Sequence, residues 1–324
     1  MIYFQKTLNF RMKEPTVLTI GKFDGIHMGH KLILDEVLRQ KKERGLRSAI
    51  FSFDTSPQGA LSGSMLKQLT TNDERHAVLE KMGIDTFIEC PFTQEVRNME
   101  AEDFIAWMSS RMNVKSFVVG TDCRFGHNRS GSPEVLEKYA AKYGYDVKVI
   151  EKLRYRGRDI SSTYIREEVT RGNMEKANML LGYPFFVQGQ VLNGNHLGNS
   201  FGFPTVNLIP QDYKLLPPYG VYAAYVTVGE DTYGGVANIG VKPTIQGDHV
   251  CGVETNIFDF SRDIYGEQIT VSLWHFMRPE KKFASIDALK AQIRSDTLTA
   301  KELLEDVRIT PLDGTQTGLS GGIA

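Results

Sequence analysis

Two different patterns of apolar residues divide this 324-residue sequence near residue 185. Before that point, short apolar runs alternate with longer amphipathic segments, which predicts strands and helices in turn. After it, period-two segments follow one another between glycines and prolines, and one amphipathic helix comes near the end. Because the chain exceeds the usual domain size of roughly 100 to 200 residues, we expect two unlike domains.

The first pattern predicts a Rossmann-like α/β domain, a parallel sheet with helices on both faces, because strand, helix, strand repetition requires crossover connections. Its predicted strands are TVLTIGKF, RSAIFSF, TFIEC, SFVVG and YDVKVI. The second pattern, from FVQGQVL to EQITVSLWHF, predicts a small antiparallel β-barrel followed by a helix. We therefore expect domains at 1–185 and 186–310 and a flexible tail at 311–324.

Charge and composition narrow the class of partner. The 38 basic and 39 acidic residues nearly cancel, so the chain lacks the positive field that binding to a nucleic-acid backbone needs. No signal peptide and no apolar stretch of about 18 residues is found, so we expect a cytoplasmic protein with small-molecule partners and no membrane contact. Cys90, Cys123 and Cys251 form no CxxC pair, which argues against structural zinc and disulfides. The oligomeric state stays open, a homo-oligomer included.

A glycine-containing loop, GKFDGIHMGH at residues 21–30, follows the first predicted strand. Gly21 and Gly25 permit turn geometry, and a helix that begins around His27 to His30 presents free amides and its positive end to an anion. The two histidines lie on one helical face, where both can donate to one phosphate. Two alternatives remain: a metal site that includes Asp24, although catalytic metal sites usually need three protein ligands, and the ordinary start of a core helix.

Two further segments contain residue types that suit a phosphate site. Ser162 and Thr163 in SSTYIR lie at a predicted helix start, where hydroxyls cap amides or bind phosphate oxygens. Arg166 follows one turn later and supplies a forked cation. The run VVGTDCRFGHNRSG places Asp122 in a glycine-rich loop after a strand. Taken alone, the first segment is more often a plain helix cap, and the second is equally well explained as a turn.

The second half contains two polar patterns on predicted strands. GFPTVNL places Thr205 and Asn207 two residues apart, so that both side chains face the same way. Neutral oxygens of this kind suit Mg²⁺ together with phosphates and water, and the nearby Gly202 suggests a nucleotide loop. Glu254 in VETNIFDF is a candidate general base toward a hydroxyl. An isolated Thr-x-Asn is more often the polar face of a strand, and most strand carboxylates are simply solvated.

The motifs of the first half resemble those of a known family. HMGH at 27–30 is similar to the His-x-Gly-His motif of a nucleotidyltransferase superfamily, and SSTYIR is similar to its Ser-Ser-Thr-x-Ile-Arg element. The run at 21–30 resembles the version in prokaryotic bifunctional riboflavin kinase/FAD synthetases. The resemblance implies that both histidines bind ATP phosphates and stabilise the departing pyrophosphate, with Arg166 beside them. It also implies a set of nucleotide and flavin contacts: Gly21, Phe23, Asp24, Gly25, Asp122, Ser162 and Thr163.

The second half is similar to the riboflavin kinase domain of the same family, and the resemblance spans about residues 15 to 305. It implies that Thr205 and Asn207 bind Mg-ATP, with Gly202 in the nucleotide loop. It further implies that Glu254 activates the ribityl hydroxyl of riboflavin. The expected enzyme makes FMN from riboflavin and ATP, then FAD and pyrophosphate from FMN and ATP, with Mg²⁺ in both steps.

Three positions depart from the family pattern. Asn256 stands where the family usually has histidine, Asn199 where it has arginine, and Thr55-Ser56-Pro57 where it has Pro-His-Pro. Two other functions therefore remain open, namely an enzyme with only one surviving activity and a non-catalytic flavin-binding protein. Retention of His27 and Glu254 argues against the second, because flavin binding alone does not need ligands for a triphosphate.

Overall fold

The computed structural model describes residues 1–54, 67–192, 205–243 and 249–308, which form two compact units. Unit 1 comprises Met1–Leu153, Ile160–Ser162 and Gln211–Leu215, and unit 2 comprises Arg154–Asp159, Thr163–Pro210 and the chain from Leu216 onward. The domain boundary near residue 185 stays a prediction. The predicted tail at 311–324 lies outside the described residues.

The described part of unit 1 contains six strands, five α-helices and a short 3-10 helix at His127–Arg129. The strands are β1 (Ile2–Gln5), β2 (Thr16–Ile20), β3 (Arg47–Phe53), β4 (Thr86–Cys90), β5 (Val114–Gly120) and β6 (Asp146–Ile150). The helices are α1 (Met28–Arg44), α2 (Asn72–Lys81), α3 (Gln94–Arg97), α4 (Ala101–Met112) and α5 (Pro133–Tyr143).

The remaining elements follow from residue 154 onward. The strands are β7 (Arg154–Tyr155), β8 (Arg158–Asp159), β9 (Phe185–Gln190), β10 (Thr205–Leu208), β11 (Gly220–Val228), β12 (Asp231–Pro243), β13 (His249–Ile257) and β14 (Gln268–Pro279). The helices are α6 (Ser162–Arg171), α7 (Met174–Leu181) and α8 (Ile286–Leu304). None of the helices in the described ranges is long and apolar enough to cross a membrane.

The six strands of unit 1 form one parallel sheet in the order β1-β4-β3-β2-β5-β6. This confirms the predicted parallel sheet, although the sequence analysis missed β1. The chain proceeds from β2 to β3 on one side and later returns to β5 on the other. The strand order therefore reverses between β2 and β5, and open sheets of this kind bind ligands beyond the carboxyl ends of the strands at such a point.

Helices cover both faces of this sheet, as predicted. Val17 and Leu18 are consecutive and fully buried, yet they belong to different cores because side chains alternate along a strand. Val17 packs in the cluster that contains Leu34 of α1. Leu18 packs in the cluster that contains Phe104 of α4. The sheet is thus a rigid, doubly covered support for the loops at its carboxyl edge.

The strands of unit 2 from β9 onward form an antiparallel sheet in the order β10-β13-β12-β11-β14-β9. Its two edges approach each other where the Leu192 amide donates to the carbonyl of Asn207 at 2.9 Å, so the predicted barrel is present as a curved half-barrel sheet. Ala223 on β11 packs against Leu304 of α8. Its neighbour Tyr222 is fully buried, as expected if it points to the opposite face. The predicted helix after the barrel is therefore confirmed as its outer cover.

Candidate active sites

The loop between β2 and α1 lies at the carboxyl edge of the parallel sheet. The Gly21 amide donates to the carbonyl of Phe51 at 3.0 Å, which ties the loop to β3. Phe23, Gly25 and Ile26 have φ values of 49°, 81° and 36°. Only glycine adopts this left-handed region without strain. Phe23 and Ile26 are 1% and 3% exposed, so burial holds them in a strained backbone that is typical of functional loops.

His27 and His30 stack on one another at the start of α1. Their ring centroids are 3.7 Å apart, and the ring planes differ by 19°. His27 is the N-cap of the helix, and its Nδ1 accepts a hydrogen bond from the His30 amide at 3.3 Å. A neutral imidazole that accepts at Nδ1 carries its proton on Nε2. The donor atom of the His27 ring is therefore Nε2.

His30 is neutral at physiological pH. Burial of its ring, together with the charge of Arg75, lowers its pKa to about 3. Its buried Nδ1 has no hydrogen-bond partner within the described part of the chain. A neutral ring still donates one hydrogen bond through an N–H group. His30 thus suits a role as a hydrogen-bond donor to a phosphate rather than as a cation.

Gly29, between the two histidines, is required by close packing. A Cβ atom at this position would lie 3.2 Å from both Cε1 and Nδ1 of His27. It would also lie 3.4 Å from the carbonyl oxygen of Ile160. Any larger residue at position 29 therefore pushes on the imidazole that caps the helix.

Asp24 joins the loop to residues 69 and 70 through hydrogen bonds. Its carboxylate is 1% exposed, and Oδ1 accepts hydrogen bonds from the amides of Leu69 at 2.9 Å and Thr70 at 3.2 Å. The Thr70 hydroxyl accepts from the Gly25 amide at 3.1 Å, and the Ser162 hydroxyl donates to the Asp24 carbonyl at 2.8 Å. Within the described ranges, no group of three or more His, Cys, Asp or Glu side chains is arranged to hold a metal.

Arg75 on α2 is a supporting residue that the sequence analysis missed. It is fully buried, and its Nη1 donates to the carbonyl of Lys22 in the loop at 2.8 Å. Its Nη2 contacts Glu89 at 3.0 Å and also donates to Asn72 at 2.7 Å. No motif marks this arginine, since Lys22 and Glu89 lie on other elements.

The other predicted residues of this site lie on β5 and α6. Asp122 follows β5, the neighbour of β2, and its exposed carboxylate forms an ion pair with Lys152 at 3.2 Å. Ser162 begins α6, and Thr163 and Arg166 lie in the part of α6 that belongs to unit 2. The structure thus joins the histidine loop to Ser162, while the roles of Asp122, Thr163 and Arg166 stay predictions.

A second polar site lies on the paired strands β10 and β13 of unit 2. Thr205 is opposite Asn256, and Asn207 is opposite Glu254. Directly opposed residues of antiparallel strands share a face, so these four side chains lie on one side of the barrel wall. The Thr205 hydroxyl donates to Glu254 Oε1 at 2.8 Å. Because the hydroxyl donates its proton to Glu254, the lone pairs of the Thr205 oxygen can bind a cation or accept a hydrogen bond from water. The predicted contact of Gly202 lies outside the described residues.

This polar face opens into a cavity of about 380 Å³, which is within the usual range of roughly 300 to 1,000 Å³ for ligand pockets. Thr205, Glu254 and Asn256 line one wall of the cavity, and Leu289 and Ile293 of α8 line another. The lining of the cavity therefore combines polar and apolar side chains.

An ion pair fixes α8 against the barrel at this cavity. Arg278 on β14 donates through Nε to Asp296 Oδ1 at 3.0 Å and through Nη2 to Oδ2 at 2.7 Å. Gln292 also donates to Asp296, at 2.8 Å. Asp296 is 5% exposed, and both members of the ion pair line the cavity. The sequence did not predict this pair because Arg278 and Asp296 lie on different elements, 18 residues apart.

Comparisons with known proteins identify both halves of the chain. A family profile described as FAD synthetase matches residues 9–164, and one described as riboflavin kinase matches residues 181–304. A bifunctional riboflavin kinase/FMN adenylyltransferase of Escherichia coli is 36% identical over 293 residues, which cover 90% of this chain and 93% of that protein. A protein of the same name from Listeria monocytogenes is 34% identical over 282 residues, which cover 86% of this chain and 90% of that protein.

A solved structure described as a macrolide-efflux protein from Streptococcus pneumoniae is also similar, with a TM-score of 0.81 and 30% identity. The match covers 93% of this chain and 98% of that chain. The two domain matches and the full-length relatives agree with one another and with the resemblance of the motifs. The chain therefore belongs to the family of bifunctional riboflavin kinase/FMN adenylyltransferases, which make FMN from riboflavin and FAD from FMN.

Proposed function

We propose that the two steps are divided between the two sites. The β10–β13 face phosphorylates riboflavin, and the loop before α1 transfers the adenylyl group of ATP to FMN. On this division, residues 1–185 contain the adenylyltransferase and residues 186–310 the kinase. The observation that carries the proposal is the 2.8 Å contact of Thr205 with Glu254 at the polar wall of the cavity. A carboxylate held beside a hydroxyl ligand is the arrangement that phosphorylation of an alcohol needs.

In the kinase step, Glu254 accepts the proton of the ribityl hydroxyl. The hydroxyl oxygen forms a bond to the γ-phosphorus of ATP, and ADP leaves. Thr205 and Asn207, with the Gly202 loop, hold Mg-ATP for this attack. Asn256, where the family usually has histidine, keeps a neutral hydrogen-bonding group opposite Thr205.

In the adenylyl step, the terminal phosphate of FMN attacks the α-phosphorus of ATP in line, and pyrophosphate leaves. No covalent intermediate is needed, so the site acts by positioning and by stabilising negative charge. His27 and His30 donate hydrogen bonds to the phosphates, and Arg166 supplies a positive charge. The remaining contacts hold the nucleotide and the flavin: Gly21, Phe23, Asp24, Gly25, Asp122, Ser162 and Thr163.

The oxygen ligands of the kinase face fit Mg²⁺, which prefers oxygen and retains several waters. The Thr205 hydroxyl directs its proton to Glu254, and Asn207 has an amide oxygen, so both can contact a cation. Bound Mg²⁺ would neutralise phosphate charge during both transfers. The proposal needs no nucleic acid, membrane or second copy of the chain. The three free cysteines and the ATP requirement favour the cytoplasm.

Two substitutions test the division of labour. Glu254→Ala should abolish FMN formation from riboflavin and spare FAD formation from supplied FMN, because only the kinase base is lost. His30→Ala should do the reverse. Chromatography of the flavins after incubation with Mg-ATP measures both products, and Glu230→Ala in an exposed turn serves as the matched control. Equal loss of both products in either variant would refute the proposal, and unchanged riboflavin with the wild-type chain would leave a flavin-binding protein.

A further inference from the structure

A short segment from the barrel half of the sequence belongs to unit 1. Gln211–Leu215 lies between β10 and β11 in the sequence, yet it packs within unit 1. The Gln68 amide donates to the carbonyl of Tyr213 at 2.7 Å, and the Gln68 carbonyl accepts from the Leu215 amide at 2.7 Å. These bonds form a parallel bridge between Gln68 and Lys214. The segment therefore lies beside the residues that hold the histidine loop.

Lys214 places a buried positive charge at this position. Its side chain is 1% exposed, and Nζ lies 2.6 Å from Glu74 Oε2, which is also 1% exposed. Nζ also donates to the carbonyl of Leu69 at 2.7 Å. Lysine is almost never fully buried unless it is paired, so this contact is a specific feature rather than ordinary packing.

The same lysine acts on Asp24 of the histidine loop. Burial lowers the pKa of Lys214, while the charges of Glu74 and Asp24 oppose that shift. Leu69 is held from both sides, because its carbonyl accepts from Lys214 and its amide donates to Asp24. Lys214 thus pairs directly with the buried carboxylate of Glu74 and reaches Asp24 through residue 69. Removing one member of a buried ion pair is strongly destabilising.

We propose that Lys214 is a positioning residue for adenylyl transfer, supplied to that site by the part of the sequence beyond residue 185. It balances Asp24 and Glu74 and fixes residue 69, and through Asp24 it fixes the loop that carries His27. The inference rests on the proposed assignment of adenylyl transfer to that loop. A fragment that ends at residue 185 therefore lacks a necessary part of the site.

The test is Lys214→Met in the full chain, with two activities measured in one preparation. We expect kcat/KM for Mg-ATP in FAD formation from supplied FMN to fall by about tenfold or more, with a higher KM, because the loop is displaced. Riboflavin phosphorylation should stay within about twofold of wild type. Lys67→Met is the matched control, since this exposed lysine donates to the carbonyl of Asp212 in the same segment. A purely structural role would lower kcat through fewer active molecules and leave KM unchanged, which would overturn the proposal.

Two further variants separate the outcomes. The double variant Lys214→Met with Glu74→Gln is used if the single variant fails to fold, because it removes both charges of the buried ion pair. It should still raise the KM for ATP, because the hydrogen bond from Lys214 to the Leu69 carbonyl is lost. A wild-type KM in this double variant would overturn the proposal. His30→Ala is measured in parallel. If His30→Ala retains FAD formation, the assignment of the loop fails; if it loses FAD formation while Lys214→Met does not, only the role of Lys214 fails.

Discussion

Gly29→Ala should lower adenylyl transfer while changing the free energy of unfolding little, because the added methyl group presses on the ring of His27. The new Cβ would lie 3.2 Å from the His27 ring, so that ring must shift by a few tenths of an ångström. His27 caps α1 and stacks on His30, and the shift therefore moves both predicted phosphate donors. We expect adenylyl transfer to fall while the chain remains folded.

The size of each effect follows from the geometry. Replacing glycine by alanine inside a helix stabilises a protein by about 0.5 to 1 kcal/mol, which offsets part of the crowding at position 29. A misplacement of about 1 Å at a reacting group can cost roughly 100-fold in rate, so a shift of a few tenths should cost about tenfold. The free energy of unfolding should therefore change little while FAD formation from supplied FMN drops.

Gly45, at the other end of α1, is the matched control. It has a φ of 65°, and an added Cβ would meet no atom within 4 Å. Gly45→Ala should lower the free energy of unfolding by about 1 kcal/mol, because a side chain disfavours the left-handed region, and it should leave FAD formation intact. Urea unfolding and flavin chromatography measure the two quantities. Wild-type FAD formation by Gly29→Ala, or an equal loss of activity in both variants, would refute the reasoning.

Two other predictions concern α8 and acid stability. Asp296→Ala should lower the free energy of unfolding by about 3 kcal/mol, because Arg278 loses the carboxylate that fixes α8. It should also raise the KM for riboflavin but not for FMN, and an unchanged riboflavin KM would contradict this. The pKa of His30 falls from 6.5 to about 3 on folding, so the unfolded chain binds a proton that the folded ring does not. Above pH 6.5 neither state binds this proton, and the free energy of unfolding is unaffected. As the pH falls from 6.5 toward 3, protonation of the unfolded chain lowers the free energy of unfolding. In urea titrations the stability of wild type relative to His30→Gln should therefore decrease as the pH is lowered from 7 to 4, and a constant difference would count against it.

The sequence predicted the fold wherever a local pattern determined it. The short apolar run that includes Val17 and Leu18, followed by an amphipathic segment, correctly indicated a strand of a doubly covered sheet, since the two residues are buried in different cores. The strand β1 was missed because IYFQ is short and only partly buried. Its extended state depends on pairing with β4, in which Ile2 is opposite Thr86. A short stretch of sequence cannot indicate a strand pairing between residues more than 80 positions apart.

The candidate sites divide in the same way. The spacing of His27 and His30 is a property of one helix turn, so the sequence alone placed both rings on one face. Lys214 and Arg75 had no such signal, because Lys214 meets Glu74 140 residues away and Arg75 meets Lys22 53 residues away. Each looks like an ordinary surface charge in its own segment, and only the tertiary structure shows that it is buried.

The buried charges of unit 1 explain why Lys214 and Arg75 matter to the proposed phosphate site. The proposed phosphate donors, His27 and His30, lie at the N-terminus of α1, and the buried carboxylate of Asp24 belongs to the same loop. An uncompensated carboxylate at that depth would repel the phosphates and strain the loop. Lys214 offsets that charge, and Arg75 holds the Lys22 carbonyl, so positive charge supports the loop from within. On the proposed assignment, the phosphates meet hydrogen-bond donors whose positions are fixed before substrate arrives, which is the condition for stabilising a transition state by preorganisation.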